Sequence, residues 1–305
     1  MSRPEAPTPR VRLDLLDPVD VARLGGLELV SEGIVEGFLS GLHRSPRRGF
    51  SVEFAEHRMY QPGDELRYVD WKMLGRSDRL YVKQYEEETN LRAMLLVDTS
   101  ASMGYGSHGL TKLDYARQLA ASLAYLMLRQ NDAVGMFAFA TGRAELIPPR
   151  STLGHARPLL LLLERLTPGG ATDFASSLHS LAERMTRRGL VILISDLLDE
   201  PERISQAIHH FRHRKHEVIV FHVLDPQEVA FDFEREAVYV DLESGERVTT
   251  RPQELRPDYR ARVSAWRDQI RQFCIEKRAE YVPLTTDQPY DRALLEYLSK
   301  RARLL

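Results

Sequence analysis

Residues 92–103, RAMLLVDTSASM, constrain the fold more than any other stretch. The apolar run Ala93 to Val97 stops abruptly at Asp98, and hydroxyls follow at alternate positions, Ser100 and Ser102. A run of this length ending in small polar residues predicts a buried strand running out into a loop. A second run, Leu190 to Ile194, is continuous enough to predict a strand buried on both faces. It too ends in polar residues, Ser195 and Asp196. One Asp and two Ser at a spacing of two can turn three oxygens toward one point above a strand end. Oxygen-only clusters suit Mg²⁺, which takes few protein ligands and keeps several waters.

The rest of the chain supplies the helices such strands need. Residues 1–17 are rich in Pro and Arg and read as a disordered or loosely attached tail. From Pro18 to His43, Val21, Leu24, Leu27, Val30, Ile34, Val35, Phe38 and Leu42 recur at helical steps, which predicts one or two helices broken near Gly25-Gly26. A basic hinge follows, with His43, Arg44, Arg47 and Arg48 reading as a solvated loop. Residues 50–88 suggest short strands around a Pro62-Gly63-Asp64 turn. After Asp98 the spacing predicts a helix over about 112–129, strands at 133–140 and 143–147, and a leucine-rich helix over 151–166. The loop Gly169-Gly170-Ala171-Thr172-Asp173 leads into a helix over 174–187. Beyond the 190–194 strand come a helix over 201–214, a strand over 217–223, and a hairpin over 237–250 turning at Ser244-Gly245. A helix from about Asp258 to Arg278, a strand over 280–284 and a helix over 292–304 close the chain. Strands interleaved with helices imply an α/β fold with a doubly wound, mostly parallel sheet, and ligands bind beyond the carboxyl ends of such strands.

Composition narrows the function classes. A formal net charge of −2 gives no global attraction to nucleic acid or to an anionic membrane. The single cysteine, Cys274, excludes a disulfide framework and a thiolate metal site, and fits a reducing compartment. No signal-peptide core opens the sequence, and no run approaches the ~20 apolar residues of a membrane span, so the expected location is cytoplasmic. The histidines lack HExxH spacing, and His209, His210, His213 and His216 read as surface residues at a helix end. A Walker loop and a G-x-S-x-G elbow are both absent.

Asp98-x-Ser100-x-Ser102, then Gly170-Ala171-Thr172-Asp173 before a helix, then Ile194-Ser195-Asp196 after an apolar strand, resemble a von Willebrand factor A-type domain across about residues 91–300. They resemble in particular a complete metal-ion-dependent adhesion site. Upstream, Tyr60-Gln61-Pro62-Gly63-Asp64 with Arg67, Asp70-Trp71-Lys72 and Arg76 resembles the bacterial family catalogued as domain of unknown function 58, with Gly75 and Ser77 where that family often has Ala and Thr. Many of its members carry membrane helices before this region, so this chain resembles the soluble branch. The layout expected from the resemblance is a tail (1–17), an N-terminal helical and β appendage (18–90), and an A-type domain (91–305) with a hairpin insertion near 237–250.

The resemblance implies that Ser100 and Ser102 ligate Mg²⁺ or Mn²⁺ directly. Thr172 would do so directly or through water, and Asp98 and Asp196 directly or through bridging water. Two carboxylates leave a divalent ion incompletely neutralised, so a partner's Asp or Glu can complete its coordination. The implied function is a non-enzymatic, metal-dependent interaction module. Family association suggests a MoxR-type AAA+ ATPase as its partner. The alternative is a Mg²⁺-assisted hydrolase using Asp98 and Asp196, against which stands Ser100 where the haloacid-dehalogenase pattern needs a second Asp. Arg67, Asp70, Trp71, Lys72 and Arg76 read either as an exposed binding face or, more commonly for such charges, as ion pairs around Trp71 as a packing anchor.

Overall fold

Alternation of apolar side chains along each strand decides the architecture. In β3 (Arg92–Asp98), Ala93, Leu95 and Val97 enter one apolar cluster, while Met94 and Leu96 enter another. Strand β6 (Leu190–Ser195) divides in the same way, with Leu190, Ile192 and Ile194 on one face and Val191 and Leu193 on the other. Strands buried on both faces demand a helical layer on each side. The computed structural model that shows this describes residues 27–44, 57–59, 81–83, 91–140, 143–170 and 174–304. The PGD…DWK segment, Arg47 and Arg48 of the basic hinge, and Thr172 lie outside the described residues, whereas His43 and Arg44, expected in a loop, end the helix Leu27–Arg44.

The main sheet has the order β10-β7-β6-β3-β4-β5. Its further strands are β4 (Ala133–Ala140), β5 (Arg143–Arg150), β7 (Glu217–Leu224) and β10 (Glu280–Thr285). All pairings are parallel except β4 with β5, which is antiparallel. Successive strands leave β3 toward β4 on one side and toward β6 on the other. The order therefore reverses beside β3, the place where open sheets of this class bind ligands. Close contact of β6 with β3 depends on Gly189, where a Cβ would lie 2.3 Å from the Arg92 carbonyl oxygen. A short antiparallel pair joins β1 (His57–Met59) to β2 (Tyr81–Lys83), and a second joins β8 (Ala237–Val240) to β9 (Arg247–Thr250).

On one face lie α1 (Leu27–Arg44), α2 (Lys112–Arg129), α3 (Ala156–Arg165) and the last helix, α8 (Asp291–Leu304); on the other lie α4 (Phe174–Arg184), α5 (Pro201–His213) and α7 (Pro252–Glu276). Helix α2 is buried on nearly every side. An all-round buried helix needs cover opposite the sheet, and α1 provides it through Val30, Ile34, Val35 and Phe38. A short helix, α6 (Pro226–Ala230), precedes the β8–β9 hairpin.

Several expectations shift. Strand β5 runs on to Arg150 through Pro148 and Pro149, which an edge strand tolerates because it needs no ladder donors on its outer side. Helix α7 begins at Pro252 rather than near Asp258, and Pro257 sits inside it, where the exposed Gln253 carbonyl turn can reach water. Helix α4 stops at Arg184 rather than Arg187. His216 is not a surface residue: it is 1 % exposed and packs edge-on to Phe211, with ring centroids 6.1 Å apart.

Candidate functional site

At the carboxyl ends of β3 and β6 the chain buries its acids. Asp98, Ser100, Ser195 and Asp196 are completely buried, and Ser102 nearly so. The Ser100 N–H donates to Asp98 Oδ1 at 2.9 Å, and Ser195 Oγ donates to Asp98 Oδ2 at 2.6 Å. The two serine hydroxyls of the DxSxS loop lie 3.0 Å apart. The Leu198 N–H donates to Asp196 Oδ1 at 3.3 Å. Leu197, directly after Asp196, is fully buried with φ 56°, a left-handed backbone that a leucine adopts only when its surroundings impose it. That turn aims the Leu197 N–H at Ser195 Oγ, 2.9 Å away.

Four of the five expected ligands thus gather at one place: Asp98, Ser100, Ser102 and Asp196. Gly169 and Gly170, the described residues ahead of the fifth, meet the DxSxS loop. Gly169 N–H donates to the Thr99 carbonyl and Ala101 N–H to the Gly170 carbonyl, each at 2.9 Å.

Two neighbours escaped sequence reasoning. Lys112 Nζ, fully buried, reaches Asp196 Oδ2 at 2.8 Å and Glu228 Oε1 at 2.5 Å. Burial disfavours the ammonium, but Asp196 and Glu228 outweigh it and hold its pKa above the usual lysine value. Lys112 opens α2 just after the Thr111 cap, where the helix's positive end disfavours a cation. That misplaced charge was the available signal. Glu228 sits in α6, whose Asp225-Pro226-Gln227-Glu228 start is a capping box: Asp225 Oδ1 accepts from Gln227 N–H and Glu228 Oε2 from Asp225 N–H, each at 2.8 Å. Asp225 is also buried and accepts from the Ser107 N–H at 2.8 Å and the Ser107 hydroxyl at 2.5 Å. Beneath the site, burial pushes His222 down to about 3, so its ring is neutral; it bridges the Asp196 carbonyl at 2.9 Å and the Tyr281 hydroxyl at 2.7 Å.

The charges do not balance. Asp98, Asp196, Asp225 and Glu228 crowd this end of the sheet, and among the described residues the cation paired with any of them is Lys112, which reaches Asp196 and Glu228. Burial first, and then repulsion from Asp196, push the Asp98 carboxyl up to about 7. Two like-charged buried acids of this kind need a proton or a cation between them. The donor set is oxygen throughout, with hydroxyls beside the acids, and fits a hard divalent ion such as Mg²⁺ or Mn²⁺.

Residues 56–269 match the family model described as protein of unknown function DUF58. An uncharacterized protein of Mycobacterium tuberculosis is 29 % identical over 306 residues, covering 97 % of this chain and 94 % of that one. Among solved structures, the conserved hypothetical protein BatB of Bacteroides thetaiotaomicron aligns with a TM-score of 0.49 at 19 % identity, covering 70 % of this chain and 99 % of that one. The SpRpn10 VWA domain aligns with a TM-score of 0.40 at 11 % identity, covering 68 % of this chain and 95 % of that one.

Proposed function

The chain belongs to the DUF58 family, and from that premise and the charge at the sheet's carboxyl end we propose that it is a metal-dependent protein-interaction module of von Willebrand factor A type. Asp98, Ser100, Ser102, Thr172 and Asp196 hold Mg²⁺ or Mn²⁺, and a partner's Asp or Glu carboxylate completes the coordination. The observation that carries this reading is the excess of buried carboxylate over buried cation around Asp98. The ion supplies a Lewis acid for the partner's carboxylate. The chain's own part is to keep the acids dry and oriented: Ser195 and the Ser100 N–H fix Asp98, and Lys112 and the Leu198 N–H fix Asp196. Neutral acceptor hydroxyls at Ser100 and Ser102 leave positive charge on the ion, which a partner's acid can answer.

The partner is a protein, and by family association a MoxR-type AAA+ ATPase, with the chain acting as adaptor in assembly or maturation. The proposed setting is cytoplasmic; among the described residues no helix is long and apolar enough to cross a membrane. In this reading an A-type domain spans 91–305, and the segment 18–90 before it contributes α1 to the same core.

Titration calorimetry of the full chain with Mg²⁺ and with Mn²⁺ tests the metal. Binding should be present in the wild type and absent in Asp98→Ala, with the circular dichroism spectrum unchanged. A folded wild type that binds neither ion overturns the reading. A pull-down in Mg²⁺ and in chelator should then show a partner lost in both the variant and the chelator. Asp98-dependent turnover of a generic phosphoester would instead make the protein a hydrolase.

A further inference from the structure

Beside the acids opens a groove of about 660 Å³ that has Ser102 and Glu228 in its lining. It therefore begins where the proposed ion sits and runs outward to the β8–β9 hairpin. One wall is aromatic. Phe231 stacks on Tyr259 at 4.1 Å and on Tyr239 at 5.6 Å between ring centroids, and Phe233 meets Tyr239 edge-on at 5.4 Å. This wall is fixed before any ligand arrives: Arg256 donates Nε to the Phe231 carbonyl at 3.0 Å and Nη2 to the Phe233 carbonyl at 2.8 Å. The hairpin that supplies Tyr239 also supplies Val238, Val240 and Leu242, which line the groove while remaining 55 %, 47 % and 51 % exposed. Large apolar side chains left half in water along a concave wall mark a surface that something covers.

The charge in the lining says what that something carries. Asp241 and Glu243 line the groove beside Glu228, whose charge Lys112 already answers, and among the described residues no basic side chain lines it. Asp241 is held as an anion by the Glu243 and Ser244 N–H groups, which donate to its Oδ1 at 2.7 and 2.8 Å. Aromatic faces with carboxylates at their edge favour a cation on a long aliphatic stem, which stacks its stem on the rings and offers its head to the acids.

Resting on the metal reading above, we propose that the groove receives an extended segment of the partner in which the acidic residue that completes the ion is followed closely by an arginine or lysine. The basic side chain lies along Tyr239 and Tyr259 with its head toward Asp241 and Glu243, and neighbouring aliphatic residues cover Val238 and Val240. The groove thereby adds sequence selectivity to a site that would otherwise accept any exposed acid.

The test is selection of random dodecapeptides displayed on phage against the full chain in Mg²⁺, followed by fluorescence anisotropy with the enriched peptides made synthetically. Enriched sequences should pair an acid with an Arg or Lys within about four positions. Their affinity should fall about tenfold in Glu243→Lys and in Val240→Lys, both surface changes checked by thermal melting, and should also fall in chelator. Enrichment of basic peptides that respond to both groove variants but not to chelator supports the groove and overturns the metal reading. Acid-dependent, Mg²⁺-dependent binding that ignores both groove variants overturns the groove and leaves the metal reading standing. Absence of enrichment over an unrelated protein overturns the groove. Self-association of the chain that is lost in Glu243→Lys assigns the groove to a second copy and overturns the partner segment.

Discussion

At the amino ends of the strands, the last helix brings a cation to each buried or half-buried acid. Arg301 holds Asp132 through Nε at 2.6 Å and Nη2 at 3.2 Å, with the Tyr297 hydroxyl donating at 2.8 Å. Lys300 reaches Glu217 at 2.7 Å and Glu280 at 3.3 Å, and Arg212 adds a second cation to Glu217 at 2.6 Å. At the carboxyl ends, by contrast, Lys112 answers Asp196 and Glu228, and among the described residues no ion pair answers Asp98 or Asp225. The contrast shows in the acids themselves. Burial would raise Glu217, yet Arg212 and Lys300 hold it below the usual glutamate value, whereas burial and Asp196 push Asp98 up to about 7. Burial alone therefore does not set an acid's behaviour here. The amino end is finished by the chain's own side chains, while the carboxyl end is where the proposed function needs a charge from outside.

Removing the internal cation is the largest disturbance open to either end. Lys112→Met leaves Asp196 and Glu228 buried without their partner and should cost about 3–5 kcal/mol in chelator. Urea unfolding measures this, and Mg²⁺ should restore more stability to the variant than it adds to the wild type. Equal Mg²⁺ responses would break the contrast, because the carboxyl end would then have no appetite for a cation. Arg301→Met at the amino end should cost less, about 2–3 kcal/mol, since Arg301 is partly open to water that can approach Asp132. That loss should be indifferent to Mg²⁺, and Mg²⁺ rescue of it would show that both ends respond to the same ion. The smallest effect is at His216, beside the start of β7, whose pKa is lowered by burial and then by Arg214. A depressed folded value means the unfolded chain takes up the proton first, so stability is lost as pH falls below about 6.5. Thermal melts of His216→Phe should show a shallower decline between pH 7.5 and 5.5 than those of the wild type. A parallel decline would place the acid sensitivity elsewhere.

The parts of this picture that sequence carried are those with a local cause. The unbroken apolar runs 93–97 and 190–194 predict β3 and β6, and their polar ends predict where Asp98 and Asp196 emerge. Gly245, at φ +74°, marks the hairpin turn because a left-handed backbone suits glycine. What stayed illegible depends on long-range meetings. Lys112 meets Asp196 across 84 positions and Glu228 across 116, and no spacing in the sequence encodes that encounter. The burial of His216 shares that origin in part, since β7, which it precedes, joins β6, with the Glu217 N–H donating to the Gly189 carbonyl at 3.0 Å. The start of α7 differs from the expected Asp258 because the helix begins at Pro252 and carries Pro257 inside its exposed second turn.

The cover that α1 lays over α2 decides where this chain can be divided. Sequence would place a cut near residue 91, just ahead of the first strand of the large sheet. Such a cut removes Val30, Ile34, Val35 and Phe38 from the same apolar cluster that contains Leu119, Leu123 and Leu126. The fragment would present a stripe of α2 to water and stick to its own kind. Residues 27–44 are therefore a foundation of the unit rather than an attachment to it, and the smallest autonomous piece begins no later than Leu27.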